Sequence, residues 1–133
     1  MPPADFFVFL RNSLSRIAHE VPDAHRALVD AMGNLRARLV ADGAARTIRF
    51  DFPDWTIYAG AGDADLEVAF DRAIIVDLID GRLTMEDAIY QERLRMRGSV
   101  ETIERFHGAL LIYLEGLIRT PGAPVMLESY RKA

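Results

Sequence analysis

Three histidines, His19, His25 and His107, are the side chains best suited to move a proton near neutral pH, and their spacing assembles no reaction centre. His19 and His25 stand six residues apart on helical stretches, off the i, i+4 face that a metal pair needs, and no third ligand is near in sequence. They are read as surface residues. His107 follows Phe106 in an apolar stretch, where it either lines the mouth of a cavity or fills a structural place. There is no serine elbow, P-loop or dinucleotide fingerprint, and Gly60-Ala61-Gly62 lacks the further glycine and the helix that would cradle a phosphate. With no cysteine, a thiol nucleophile, a thiolate zinc site and a disulfide framework are excluded, which fits a reducing cytoplasm. The chain is therefore expected not to be an enzyme and to need no metal or cofactor. A catalyst with His107 as its best candidate residue is a further reading.

What remains is apolar chemistry, and the elements that would organise it follow from periodicity. Phe6, Leu10, Leu14 and Ile17 recur at helical spacing, so an amphipathic helix runs from the N-terminal greasy stretch to Val21-Pro22. Its apolar run is too short for export or for spanning a membrane. Arg11 and Arg16 flank it, so a packed helix and a helix touching a membrane or a partner are both open readings. A second helix from about Asp23 to Met32 turns Ala27, Leu28 and Met32 inward and stops at Gly33.

From Leu35 the period changes to two. Leu35, Ala37 and Leu39 alternate with arginines, Asp42-Gly43 turns the chain, and Ile48, Phe50 and Phe52 alternate with Thr47, Arg49 and Asp51. Pro53-Asp54 marks another turn before Trp55, Ile57 and Ala59, and Gly60 to Asp63 leads into a strand carrying Leu66, Val68 and Phe70. Asp71 then caps a short helix with Ile74, Ile75, Leu78 and Ile79 on one stripe, and Gly81 suits its left-handed end. Thr84 opens a second short helix with Met85, Ala88, Ile89 and Tyr90 as its apolar members. Leu94 and Met96, alternating with Arg93, Arg95 and Arg97, close the set with a fifth strand ending at Gly98. The arginine stripe is read as a solvated face paired with acids on neighbouring strands.

The order strand, helix, helix, strand, with Asp65-Leu66-Glu67-Val68, Leu78-Ile79-Asp80-Gly81-Arg82-Leu83, Ala88 and Leu94-Arg95-Met96-Arg97-Gly98, resembles the sterol carrier protein 2 family of sterol and lipid transfer domains. The resemblance covers roughly residues 33–120. In that family a glycine usually precedes the last strand and an acidic or amide residue follows its terminal glycine; here those places hold Glu92 and Ser99. It implies an α+β fold, a five-stranded, mostly antiparallel sheet covered on one face by helices, with residues 1–32 as an added helical extension packed on the domain. It also implies carriage of a hydrophobic small molecule: a fatty acyl chain, a sterol or a polyprenoid. Some bacterial relatives act as accessory proteins in quinone biosynthesis, so a module that presents lipophilic intermediates to an enzyme is the second reading. The C-terminal Arg131-Lys132-Ala133 is not a peroxisomal address, unlike that of the organellar relatives.

At 133 residues the chain is expected to form one domain that buries about two-thirds of its unfolded surface and spares some volume for a cavity. Its net charge of −4 disfavours nucleic acid. Ser99 caps a last helix whose Val100, Ile103, Phe106, Leu110, Leu114 and Leu117 form a stripe across the sheet. Ala109 to Leu114 is apolar on every side, so a second face must be covered by the N-terminal helix, a second protomer or a membrane in transient contact. Pro121-Gly122-Ala123-Pro124 ends that helix, and residues 121–133 are read as a loosely attached tail. The cavity wall is assigned to Trp55, Phe70, Met85, Tyr90, Met96, Phe106, Leu110 and Leu114, with Tyr90, Tyr113 and His107 as groups able to orient a head group.

Overall fold

The computed structural model describes residues 5–41, 43–59 and 63–131. Its elements are α1 (Phe6–Glu20), α2 (Pro22–Met32), β1 (Ala37–Ala41), β2 (Ala44–Asp51), β3 (Asp54–Tyr58), β4 (Leu66–Phe70), α3 (Ile74–Ile79), α4 (Met85–Tyr90), β5 (Leu94–Gly98), α5 (Val100–Arg119) and α6 (Ala123–Arg131). The five strands form one sheet in the order β3-β2-β1-β4-β5. Only β1 and β4 run parallel; the other neighbours are antiparallel, so the α+β fold is as expected. The expected turns at Asp42 and at Gly60-Ala61-Gly62 lie outside the described residues, as do Lys132 and Ala133.

Local chemistry sets most boundaries. Asp5 Oδ1 accepts the Val8 amide at the start of α1, Thr84 Oγ1 accepts that of Asp87 in α4, and Ser99 Oγ accepts that of Thr102 in α5. Asp71 does not cap α3 itself; its carboxylate accepts the Ala73 amide in the turn before the helix. Gly33 and Gly81 take positive φ where α2 and α3 end. Glu92, which stands where the resembled family usually has glycine, also takes a left-handed φ of 60°.

The strand alternation puts Leu39, Ile48, Trp55, Val68, Phe70 and Leu94 on one sheet face, against helix residues. The packing needs a close approach at Gly98, where an added methyl would lie 2.9 Å from Leu66 Cβ and from Thr102 Oγ1. Helix α5 in turn packs closely on α2, with Gly116 facing Ala24 and Ile17. The second apolar face of α5 is thus covered from within the chain. On α2 the inward residues are Ala24, Leu28 and Met32, while Ala27 is exposed, because the helix rolls its Ala24 edge against Gly116.

The first helices pack on the sheet domain, with Phe6, Phe9, Leu10, Leu14 and Ile17 all in the core. The C-terminal segment is not loose. Ala123, Leu127 and Tyr130 recur at helical spacing along α6; Tyr130 is 1% exposed, stacks on Phe9 with ring centroids 4.7 Å apart, and donates its hydroxyl to the Arg72 carbonyl at 2.6 Å. The Arg131 guanidinium adds an ion pair to Asp80 at 2.8 Å.

Candidate ligand-binding cavity

An apolar cavity of about 70 Å³ lies between the sheet and the helical layer. Each strand gives it a residue: Trp55 from β3, Ile48 from β2, Leu39 from β1, Val68 and Phe70 from β4, and Leu94 from β5. Helix α1 supplies Phe6, Leu10 and Leu14; α2 supplies Leu28 and Met32; α3 supplies Ile74, Ile75 and Leu78; α5 supplies Phe106, Ala109, Leu110 and Tyr113. The rim is marked by the half-buried members Trp55, Phe70, Leu78 and Leu110. Phe6 closes on Phe70 edge to face, with centroids 4.7 Å apart.

Of the expected wall residues, Trp55, Phe70, Phe106, Leu110 and Tyr113 converge here. The others do not. Met85 and Leu114 are buried elsewhere in the core, and half-buried Met96 and His107 do not reach the cavity. Tyr90 is 88% exposed, because α4 turns only Met85 and Ala88 inward, which removes it as a ligand-orienting group. The contributions of α1 and α2 were missed, although the Phe6-Leu10-Leu14 spacing carried the same signal as α5.

The polar groups beside the cavity are already engaged. Tyr113 Oη lies 2.6 Å from Ser13 Oγ, which itself donates to the Leu10 carbonyl at 2.9 Å. Burial pushes the Tyr113 phenol far up, against the smaller opposing effect of its contact with Ser13, so it stays neutral. Trp55 Nε1–H donates to His25 Nε2 at 3.0 Å, and Phe50 packs edge-on against both rings. Burial lowers the His25 pKa below its ordinary value, opposed by the charge of Asp54.

Helix α3 is held over the cavity by charge. Arg93 reaches Asp71 at 2.8 and 3.0 Å and Asp77 at 2.8 Å, and its hydrogen bonds hold the Asp71 carboxyl below the usual carboxylate range. Among the described residues Arg95 and Arg97 make no ion pair, and Arg93 pairs with Asp71 after β4 and Asp77 on α3 rather than with acids on neighbouring strands. A separate open groove beside Arg93 and Arg95 also carries Asp71 and Glu92, whose carboxylates offset the two guanidiniums. Among the described residues no three metal-ligating side chains converge. No single described helix is long and apolar enough to cross a membrane.

A five-strand sheet with this order, roofed by the long α5 across an apolar hollow, can be compared with solved structures. A "UbiJ-SCP2 Ubiquinone synthesis protein" superposes with a TM-score of 0.62 at 15% identity, over 80% of this chain and 87% of that one. The sterol carrier protein domain 2 of Helicoverpa armigera gives 0.60 at 15% identity, over 86% and 94%. This is the sterol carrier protein 2 fold. A crystal structure of sterol carrier protein 2 itself gives 0.55 at 13% identity, over 84% of this chain and 98% of that one. No family model matches the sequence, and no curated protein does. The sterol carrier protein 2 fold is thus carried here by spacing and apolar pattern, at identities too low to transfer any residue's role.

Proposed function

We propose that the protein is a non-catalytic carrier that takes the hydrocarbon tail of a lipid out of water, the tail lying between the sheet and α1, α2, α3 and α5. The single observation that carries this reading is the cavity lined by apolar side chains from every strand and from four helices. Burying ~16 methylenes at about 0.8 kcal/mol each gives roughly 13 kcal/mol gross, of which association consumes ~4–15 kcal/mol, so micromolar affinity is the expected scale. Discrimination between tails is weak, since one methylene changes little.

At about 70 Å³ the hollow is under half of the ~150 Å³ aliphatic cavity that admits benzene, so the walls must part before a tail enters. In this reading the hollow is contracted and must widen around its guest. A wall with no free polar group favours a ligand whose head remains at the rim.

The structural neighbour named for ubiquinone synthesis supports a second reading, an accessory role in which a polyprenoid tail is shown to a biosynthetic enzyme. Its exposed contacts would include Leu111 and Ile118 on α5 and Val125 on α6. With the second apolar face of α5 covered by α2, a homodimer through Ala109–Leu114 has little apolar surface left to bury, and the exposed side chains suit transient contact with an enzyme or a membrane.

The test is native mass spectrometry of gently purified protein, and of delipidated protein offered hexadecanoate. Co-purified lipid, or stoichiometric hexadecanoate lost in Ala109→Leu, whose added carbons occupy the cavity, supports the carrier. An empty protein that also refuses hexadecanoate overturns it.

A further inference from the structure

Among the described residues, one hydrogen bond joins a strand side chain to a helix at the cavity: Trp55 Nε1–H, on edge strand β3, donates to His25 Nε2, on α2, at 3.0 Å. Trp55 lines the cavity and is half-buried at its rim, and His25 is half-buried beside it. An indole nitrogen only donates, and a histidine nitrogen accepts only while the ring is neutral. Protonation of His25 therefore sets two N–H groups against each other, and the contact cannot persist.

Other charges surround the contact. Asp54, beside Trp55 at the start of β3, acts on His25 through space and favours its charged form, without restoring the hydrogen bond to the indole. On α2 itself Asp23 is taken by Arg119 of α5; on β2 Arg49 pairs with Asp51; on α1 Arg16 pairs with Glu20; and Arg105 of α5 bonds to the Ala31 carbonyl. Phe50 offers only a ring edge.

We infer that the seam between α2 and β3 is the mouth through which a lipid tail passes, latched by the His25–Trp55 hydrogen bond while the imidazole is neutral and released when it takes a proton. This rests on the carrier reading, since a contracted cavity must open somewhere. The β3 side is suited to open because β3 is an edge strand, bonded on one side only, to β2. At neutral pH the latch is closed; below the lowered pKa of His25 it opens, so uptake and release quicken on acidification.

Trp55 is the sole tryptophan, so its indole N–H resonance and fluorescence report on the latch directly. In the ligand-free chain, titration from about pH 7 to about pH 5 should shift both signals together with the His25 ring protons. His25→Gln, whose amide oxygen accepts at every pH, should hold the Trp55 signal constant. Hexadecanoate uptake should rise about fivefold to tenfold on acidification in the wild type, stay slow in His25→Gln, and be fast at every pH in His25→Ala. Uptake that keeps its pH response in His25→Gln, or a Trp55 signal that ignores His25 titration, overturns the latch and leaves the carrier reading standing. No uptake by any variant at any pH, with Trp55 still released in acid, overturns the carrier reading and the mouth with it.

Discussion

Tyr113 Oη and Ser13 Oγ, 2.6 Å apart, join α5 to α1 directly behind the cavity wall. Both residues are buried, and the Ser13 hydroxyl donates its hydrogen bond to the Leu10 carbonyl, which leaves the phenol as the donor to Ser13. The two ends of this bond are unequal. Tyr113→Phe leaves Ser13 satisfied through Leu10 and should cost about 1 kcal/mol, whereas Ser13→Ala strands a buried phenol and should cost ~1–3 kcal/mol. Urea unfolding of the two variants checks the order; equal losses would show that the phenol finds another partner.

Arg93 holds α3 through two carboxylates, and a lysine cannot reproduce that fork. Arg93→Lys should lower stability by about 1 kcal/mol at neutral pH, the pairs being partly exposed. Because the folded-state pKa of Asp71 is depressed, its contribution is complete above the ordinary carboxylate range and is lost as pH falls through the lowered folded value. The gap between wild type and variant should therefore close in strong acid. A gap that is independent of pH would mean that Arg93 acts by packing.

Glu92 occupies a left-handed conformation that costs a side chain about 1–2 kcal/mol, and it is exposed, so little is lost with it. Glu92→Gly relieves that strain and, after the added freedom of the unfolded chain, should stabilise the protein by about 0.5–1 kcal/mol in thermal unfolding. A lower melting temperature would show that the Glu92 side chain holds the turn.

Tyr130 is packed between Phe9 and the Arg72 carbonyl, and the Arg72 guanidinium lies 4.1 Å from its ring centre. Tyr130→Ala should cost ~3–5 kcal/mol and loosen α1 as well as α6. Hydrogen exchange in both helices checks it. Faster exchange confined to α6 would restore the picture of a detached tail.

Local periodicity and capping residues made the elements legible. Thr84, Ser99, Gly33 and Gly81 do at their helix ends what their chemistry suggests, and the inner faces of all five strands follow the alternation of apolar residues. The site was legible only in part, because periodicity says which face of an element is buried and not against what. Met85 and Leu114 satisfy the pattern as fully as Phe106 and Leu110 do, yet they pack away from the hollow. Tyr90 followed the apolar count of a six-residue helix too short to fix its own roll. The His25–Trp55 bond joins residues 30 positions apart, and no sequence pattern announces such a contact.

The space between sheet and helices swells around a hydrocarbon tail in a carrier of this kind, and methyl-resolved NMR of the full chain titrated with hexadecanoate reads that swelling residue by residue. Saturable shifts are expected at the Leu14, Leu39, Val68 and Leu110 methyls together with cross-relaxation from the acyl chain, with silence at the exposed Val125. Shifts confined to Val125, Ile118 and Leu111, or none at all, would contradict that swelling.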